Sequence, residues 1–258
     1  MRFYSLGSGS SGNATVVEAT SGITTTRLLV DAGFSLRELE SRLDRAGLAV
    51  GDLDAVFVTH EHSDHIGCAV TLAERHDLPI WMSRGTWRAI GECALPARLS
   101  FARDGDSIAV GDLELRPFTV AHDAAEPLQL RCSDGERCLG VLTDLGSITE
   151  HMLESIAGCA ALILECNHDT AMLAASRYPP SLKARIGGRF GHLSNALAVE
   201  LLERGVGSRL GRLVAAHLSR ENNRPELVRA ALAASWGSRA DDVVIADPVL
   251  GFGWLPID

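Results

Sequence analysis

A short apolar strand that runs directly into a dense group of metal-binding side chains constrains this chain more than any other feature of its sequence. The segment Ala55–Thr59 is predicted to be a buried β-strand, and the six residues after it include three histidines and two carboxylates. Alternate side chains of an extended chain point the same way, so His60 and His62 can face one position. Asp64 and His65 lie beyond the turn and can face a second position. Imidazole and carboxylate groups suit zinc, manganese or iron, so the sequence predicts a metal centre at the end of this strand.

The rest of the chain alternates short β-rich runs with amphipathic segments. Strands are predicted at Phe3–Leu6, Thr15–Glu18, Arg27–Asp31, Ala160–Glu165 and Arg212–Ala216, near Val243 and Phe252, and repeatedly between Ser107 and Leu142, with hairpins at Gly111 and at Gly135. Helices are predicted from the N-cap Ser35 to Gly47 and over Ile66–His76, Arg84–Cys93, Ile148–Ala157, Ser194–Glu203 and Pro225–Ala234. No Pro/Gly/Ser-rich linker divides the chain. We therefore expect one α/β domain over residues 1–258, with strands in the middle and helices outside.

The charge and hydropathy of the chain limit the classes of partner. The formal net charge is −9, which counts against a protein that coats nucleic acid through a basic face. It does not exclude a nuclease, because several acidic residues would be metal ligands and bound divalent ions would return positive charge to the site. No apolar run approaches the ~20 residues that a membrane span needs. We expect a cytoplasmic protein with no membrane attachment and infer no protein partner.

The six cysteines of the chain include no CxxC pair, so the sequence contains no zinc ribbon and no thioredoxin motif. Cys132 and Cys138 flank a turn and could face each other across a hairpin. In a reducing compartment free, partly buried thiols are the expected state.

The segment His60–His65 resembles the metal-binding motif of the metallo-β-lactamase-fold hydrolases, and later segments match their pattern in the same order. The resemblance implies a four-layered αβ/βα sandwich that holds two divalent metal ions, with zinc as the first choice and manganese or iron as alternatives. It also implies that Asp31, which closes an early strand, supports the ligands from behind. The resemblance assigns His60, His62 and His122 to one ion, Asp64, His65 and His217 to the other, and Asp144 as the bridge between them. His76 and His151 match no such position and are interpreted as surface residues.

Two further residues favour one reaction class within this superfamily. Glu165 and His192 resemble the acid–base pair of its phosphodiesterase branches, which include ribonuclease Z. A histidine beside the metals could protonate a leaving alkoxide while the glutamate holds its tautomer. The alternative is that His192 is only a residue at a helix N-terminus and Glu165 an exposed strand end. In the oxidoreductase branch a glutamate normally replaces the histidine at position 62, so His62 favours hydrolysis.

The segments Ser5–Asn13 and Pro179–Ile186 resemble those of the YycJ/WalJ-like subgroup, with which 5′-to-3′ exonuclease activity on DNA is associated. Lys183, Arg185 and Arg189 could bind phosphates, although a solvated basic helix face is the alternative.

The resemblance implies a metal-dependent phosphodiesterase in which Asp64, His192 and Glu165 are catalytic. The first expectation is a 5′-to-3′ exonuclease acting on DNA or RNA, and the second is a phosphodiesterase for small cyclic ribose phosphates. A third interpretation, a metal-bound regulatory protein without turnover, fits less well, because a structural zinc site is normally closed by four ligands.

Overall fold

Two seven-stranded β-sheets form the centre of the structure. The computed structural model describes residues 1–91, 97–206, 210–236 and 242–257. The strands are β1 (Arg2–Gly7), β2 (Ala14–Ser21), β3 (Thr24–Val30), β4 (Ala55–Phe57), β5 (Ile80–Met82), β6 (Leu99–Phe101), β7 (Ile108–Val110), β8 (Leu113–Thr119), β9 (Leu128–Ser133), β10 (Cys138–Leu142), β11 (Ala161–Glu165), β12 (Arg212–Ala216), β13 (Val244–Ile245) and β14 (Phe252–Pro256). The order in the first sheet is β14-β1-β2-β3-β4-β5-β6, and in the second it is β13-β12-β11-β10-β9-β8-β7.

Helices cover the outer faces of both sheets. They are α1 (Leu36–Arg45), α2 (Ser63–Ile66), α3 (Ala69–His76), α4 (Arg84–Ala89), α5 (Glu150–Ile156), α6 (Thr170–Ala175), α7 (Pro180–Ile186), α8 (Asn195–Leu201) and α9 (Pro225–Trp236), with a 3₁₀ turn at Val50–Asp52 and a π turn at Leu202–Val206. No helix among the described residues is long and apolar enough to cross a membrane.

The alternation of side chains along the strands produces the four layers. Leu28 and Val30 of β3 lie in the core between the two sheets, whereas Leu29 packs with α1, α3 and α4 on the outer face. On the second sheet, Leu162 of β11 lies in the corresponding outer core with α5, α8 and α9. A fully buried leucine contributes about 1.5–3 kcal/mol, so burial on both sides of each sheet favours this layering strongly. The predicted αβ/βα sandwich is confirmed.

The metal-binding segment departs locally from the predicted elements. The strand predicted to reach Thr59 ends at Phe57, because the amide of Thr59 donates to Asp31 Oδ1 at 2.8 Å. The helix predicted over Ile66–His76 begins at Ala69 as α3, and Ile66 instead ends the separate short helix α2. Between them Gly67 has a φ of +33°, and a Cβ there would lie 2.3 Å from the carbonyl oxygen of Ala32.

Other boundaries differ for similar local reasons. The helix capped by Ser194 ends at Leu201, and the chain then enters a π turn in which Gly205 has a φ of 102°. Helix α4 ends at Ala89, and Cys93, the predicted end of that helix, lies outside the described residues. Helix α6 was not predicted, because six residues are too few to show an apolar period. Helix α7 agrees with the helix implied by the basic-face alternative for Lys183 and Arg185.

The interpretation that Cys132 and Cys138 face each other is wrong. Cys138 pairs with Ser133 and Cys132 with Leu139, so the two thiols occupy successive positions of the ladder and point to opposite faces of the sheet. The described cysteines are all free and buried.

Candidate metal centre and active site

The predicted ligands meet at one edge of the two sheets. Strands β3 and β4 run parallel in one sheet, and β10, β11 and β12 run parallel in the other, so their carboxyl ends lie on the same side. The side chains at these ends, or in the loops that follow them, are Asp31, His60, His62, Asp64, His65, Asp144, Glu165 and His217. His122 follows β8, which runs in the same direction as β10 because both strands pair antiparallel with β9.

The first group of donor atoms consists of three imidazoles. One ring nitrogen each of His60, His62 and His122 lies within 4.8 Å of the other two. His122 Nε2 is 3.2 Å from His62 Nδ1, and its Nδ1 donates to the carbonyl oxygen of Gly191 at 3.0 Å. This backbone contact fixes the ring and leaves Nε2 facing the group.

A second group of donor atoms joins Asp64, His65 and His217. Asp64 Oδ2 lies 3.7 Å from His65 Nε2 and 3.5 Å from His217 Nε2. His65 is oriented from behind by Asp31, whose Oδ2 is 2.8 Å from His65 Nδ1. The predicted supporting position of Asp31 agrees with this contact.

Asp144 lies between the two groups. It is 1% exposed, and its Oδ2 is 2.7 Å from His65 Nε2. Its Oδ1 lies 3.3 Å from His217 Nδ1 and 4.0 Å from His122 Nε2, so it reaches residues of both groups.

Two unpaired nitrogens test whether a metal fits these residues. His60 Nε2 and His217 Nε2 are buried and have no hydrogen-bond partner in the structure. A buried polar atom left without a partner costs about 1–3 kcal/mol, and a cation bound to these nitrogens would remove that cost. Nitrogen and carboxylate donors in this arrangement fit a divalent ion.

Burial and the neighbouring carboxylates shift the histidines in opposite directions. Burial, with several imidazoles nearby, holds the pKa of His60 well below its usual value. Burial also disfavours the charged form of His217, but Asp144 and Asp64 outweigh it and raise the pKa of His217 to about 9. In the same way Asp144 and Asp31 overcome burial and raise the pKa of His65 well above its usual value. In the metal-free protein at neutral pH, His65 and His217 therefore carry protons where a metal would bind.

Metal binding is therefore expected to release protons and to strengthen as pH rises from 6 towards 9. Below the raised pKa of His217, about 9, an incoming ion must displace a proton, so each displaced proton changes the affinity by about tenfold per pH unit. Calorimetric titration of the metal-free protein with Zn²⁺ in buffers of different ionisation enthalpy measures the number released. A binding heat that does not depend on the buffer would contradict this expectation.

A buried carboxylate links the metal centre to His192. Glu165 is fully buried, and its Oε1 lies 2.8 Å from His192 Nδ1 and 2.9 Å from His217 Nδ1. Its Oε2 accepts hydrogen bonds from the amides of Leu145 and Leu193. Burial disfavours protonated His192, but Glu165 and Asp144 outweigh it and raise the pKa of His192 to about 11. The alternative view of Glu165 as an exposed strand end is wrong.

A cavity of about 290 Å³ opens onto these groups. We call it the metal-site cavity. Its lining includes Ser10, His62, Asp64, Asp123, Asp144, Arg185, His192 and His217.

The three predicted phosphate-binding residues, Lys183, Arg185 and Arg189, do not all line the metal-site cavity. Only Arg185 of the three lines the metal-site cavity, and its Nε donates to Asp123 Oδ2 at 2.6 Å. Lys183 donates to the carbonyl oxygen of Ala174 and lines a neighbouring cavity that also includes His192. The guanidinium of Arg189 lies 5.6 Å from the ring centroid of Phe190.

Sequence reasoning missed several residues that hold the ligands in place. Thr59 Oγ1 lies 2.9 Å from Asp31 Oδ2 and 3.0 Å from His60 Nδ1. Asn13 Nδ2 lies 3.0 Å from His65 Nε2 and 3.2 Å from the carbonyl oxygen of Asp64. The only sequence signals were the position of Thr59 next to the first ligand and that of Asn13 at the end of a glycine-rich turn.

Glu61, which stands between two histidine ligands, connects two loops of the site. It accepts a hydrogen bond from the amide of Ala125 at 2.6 Å, which ties the loop that carries His122 to the segment that carries His60 and His62.

This fold and this cluster of metal-binding residues are shared by the members of one protein superfamily. The family described as "Beta-lactamase superfamily domain" matches residues 26–217, and the chain belongs to that superfamily.

Two named relatives and one solved structure are similar to this protein over most of its length. The chain is 38% identical over 233 residues to exodeoxyribonuclease YycJ of Bacillus anthracis, which covers 89% of this chain and 86% of the relative. It is 33% identical over 231 residues to exodeoxyribonuclease WalJ of Streptococcus pneumoniae D39, which covers 88% and 84%. Among solved structures, the metallo-β-lactamase fold protein YhfI of Bacillus subtilis matches with a TM-score of 0.73, 19% identity and 99% coverage of both chains. The predicted superfamily and subgroup are confirmed.

Proposed function

We propose that this protein is a dinuclear metal-dependent phosphodiesterase that removes nucleotides from the 5′ end of DNA or RNA. The observation that carries the proposal is the contact of Glu165 with His192 beside Asp144, because it places a proton donor next to a set of metal-binding residues. The exodeoxyribonuclease names of relatives at 38% and 33% identity support a nucleic-acid substrate.

Seven residues would hold the ions. His60, His62 and His122 would bind one, Asp64, His65 and His217 the other, and Asp144 would bridge them; Asp64 thereby also counts among the catalytic residues. When bound, two divalent ions lower the pKa of water and neutralise charge on phosphoryl oxygens. Zinc is our first choice on donor chemistry, and manganese and iron suit the same donors.

His192 would protonate the ester oxygen that leaves. Glu165 holds its Nδ1, which leaves Nε2 as the nitrogen that can donate. Glu165 also contacts His217, so one buried carboxylate orients both the proposed acid and a proposed ligand. The side chain of His192 is 24% exposed, enough to touch a substrate in the metal-site cavity.

Arg185 would bind a phosphoryl oxygen of the substrate. Its bond to Asp123 keeps the guanidinium at the wall of the metal-site cavity, where charge-assisted hydrogen bonds to phosphate can form. Lys183 and Arg189 would contact phosphates further along the substrate. We also retain the expectations of one domain over residues 1–258 and of a cytoplasmic location.

The alternative is a phosphodiesterase for small cyclic ribose phosphates. The net charge of −9 favours it, because a long polyanion is repelled more strongly than a small ester.

A nuclease assay with the metal-loaded protein tests the proposal. DNA and RNA labelled at the 5′ or the 3′ end would each be incubated with the protein and Mn²⁺ or Zn²⁺, with Asp64→Ala in parallel. We expect metal-dependent release of labelled 5′ nucleotides that Asp64→Ala does not produce. Failure to cut DNA or RNA, with hydrolysis of bis(p-nitrophenyl) phosphate intact, would favour the cyclic ester instead.

A further inference from the structure

A second cavity lies directly beside the metal-site cavity. Its volume is also about 290 Å³, and Ser10 lines both cavities. Tyr178, Leu218 and Arg220 line the second cavity, and Leu218 immediately follows the proposed ligand His217. A substrate that occupies the metal site can therefore extend into the second cavity past Ser10.

The walls of the second cavity suit a flat aromatic group. Tyr178 is half-buried there, and the exposed Arg220 is held by a hydrogen bond from its Nη2 to Ser11 Oγ at 3.2 Å. A tyrosine ring and a guanidinium both stack on nucleobases without selecting a sequence. Glu221 also lines this cavity, and its negative charge disfavours a phosphate, so a base is the better occupant.

The loop that separates the two cavities is tied to the metal centre. The backbone amide of Gly9 donates to Asn13 Oδ1 at 2.8 Å, and the backbone amide of Asn13 donates to the carbonyl oxygen of Asp64 at 2.8 Å. The position of Ser10 is thereby coupled to a proposed ligand, so the spacing between the two cavities is held by the fold.

On the basis of the proposed function, we propose that Tyr178 and Arg220 form a subsite that stacks the base of the nucleotide retained on the attacked phosphate. His192, assigned to the leaving oxygen, lines the metal-site cavity but not the second cavity. The leaving nucleotide therefore lies on the side of His192, and the retained strand lies on the side of Tyr178. During removal from a 5′ end, the base in this subsite is that of the second nucleotide.

Abasic substrates test this assignment. Single-stranded DNA with a base missing at position 1, 2 or 3 from the 5′ end would be given to metal-loaded wild type, Tyr178→Ala, Tyr178→Phe and Arg220→Ala. Arg98→Ala is the charge control, since Arg98 lies at the opposite edge of the sheet, before β6, and pairs with Asp77. Thermal unfolding would verify that each variant is folded.

We expect Tyr178→Ala to raise KM for intact DNA by roughly 5- to 150-fold, the range that loss of one stacked base produces. Arg220→Ala should raise KM in the same direction, and Tyr178→Phe and Arg98→Ala should leave it unchanged. Hydrolysis of methyl p-nitrophenyl phosphate should also be unchanged in these variants, because its retained methyl group has no ring to stack. For the wild type, DNA that lacks base 2 should have a higher KM than intact DNA. For Tyr178→Ala, the two substrates should have the same KM, because the stacking contact is already lost.

Two results would overturn the subsite while the proposed function stands. The first is that Tyr178→Ala has the same KM for DNA as the wild type. The second is that the effect of Tyr178→Ala disappears when base 1 or base 3 is missing and not when base 2 is missing. If the wild type hydrolyses only bis(p-nitrophenyl) phosphate and no nucleic acid, the proposed function fails, and the subsite fails with it.

Discussion

Asp144→Ala is expected to abolish metal binding and hydrolysis together. Asp144 is fully buried and reaches residues of both donor groups, His65 at 2.7 Å in one and His122 at 4.0 Å in the other. Its loss removes the proposed bridge and leaves protonated imidazoles without their counter-charge. We expect turnover to fall by about a thousandfold or more, because water is no longer activated.

Metal analysis by mass spectrometry and hydrolysis of bis(p-nitrophenyl) phosphate measure the two effects on one sample. Asp134→Asn is a suitable control, because Asp134 lies at the remote hairpin turn, where it accepts backbone hydrogen bonds from Glu136 and Arg137. A variant that keeps its full metal content and its turnover would contradict the bridging role of Asp144.

The metal-free form of Asp144→Ala should also unfold more readily than metal-free wild type. Removing one partner of a buried ion pair costs about 3–5 kcal/mol, because the other charge remains buried. Denaturant unfolding of both proteins in the presence of a chelator measures this difference, and equal free energies of unfolding would show that the fold tolerates the unpaired histidines.

His192→Ala is expected to lower kcat on DNA by roughly 10²- to 10⁴-fold, the usual contribution of a general acid. Metal content should change little, because His192 is not among the proposed ligands. The loss should be much smaller for bis(p-nitrophenyl) phosphate, because p-nitrophenolate leaves readily without a proton. The expected signature is therefore a large difference between two substrates at constant metal content.

His76→Ala is the matched control, since His76 lies at the exposed end of α3. Equal losses of metal and turnover in His192→Ala would contradict an acid role and would make His192 a structural support of the centre. Equal losses on DNA and on the p-nitrophenyl ester would contradict protonation of the leaving group.

Most elements of the fold were predictable because their signals are local. Ser35 caps α1 as its side-chain type predicts, and the apolar stripe of Leu39 and Leu43 is buried. Hairpins form at Gly111 and Gly135, where both glycines have positive φ. The break at Gly67 was not predictable, because the oxygen that excludes a side chain there belongs to Ala32, on another loop.

The candidate ligands were also named from the sequence, since the first cluster is contiguous and each later residue follows a predicted strand. The sequence did not show which of these side chains contact one another. Glu165 touches both His192 and His217, which lie 27 and 52 residues further along the chain. No local pattern predicts which of several histidines a buried carboxylate will meet.

By itself the sequence determined the alternation of strands and helices, the metal-binding residue types and their order, because side-chain periodicity and spacing are properties of the local chain. Only the tertiary structure decided that Asn13 holds Asp64 and His65, that Arg185 alone of the three basic candidates lines the metal-site cavity, and that Tyr178 lies beside it. These contacts depend on the order in which strands from distant segments pair. That order is selected by the packing of the whole core, which no single segment specifies.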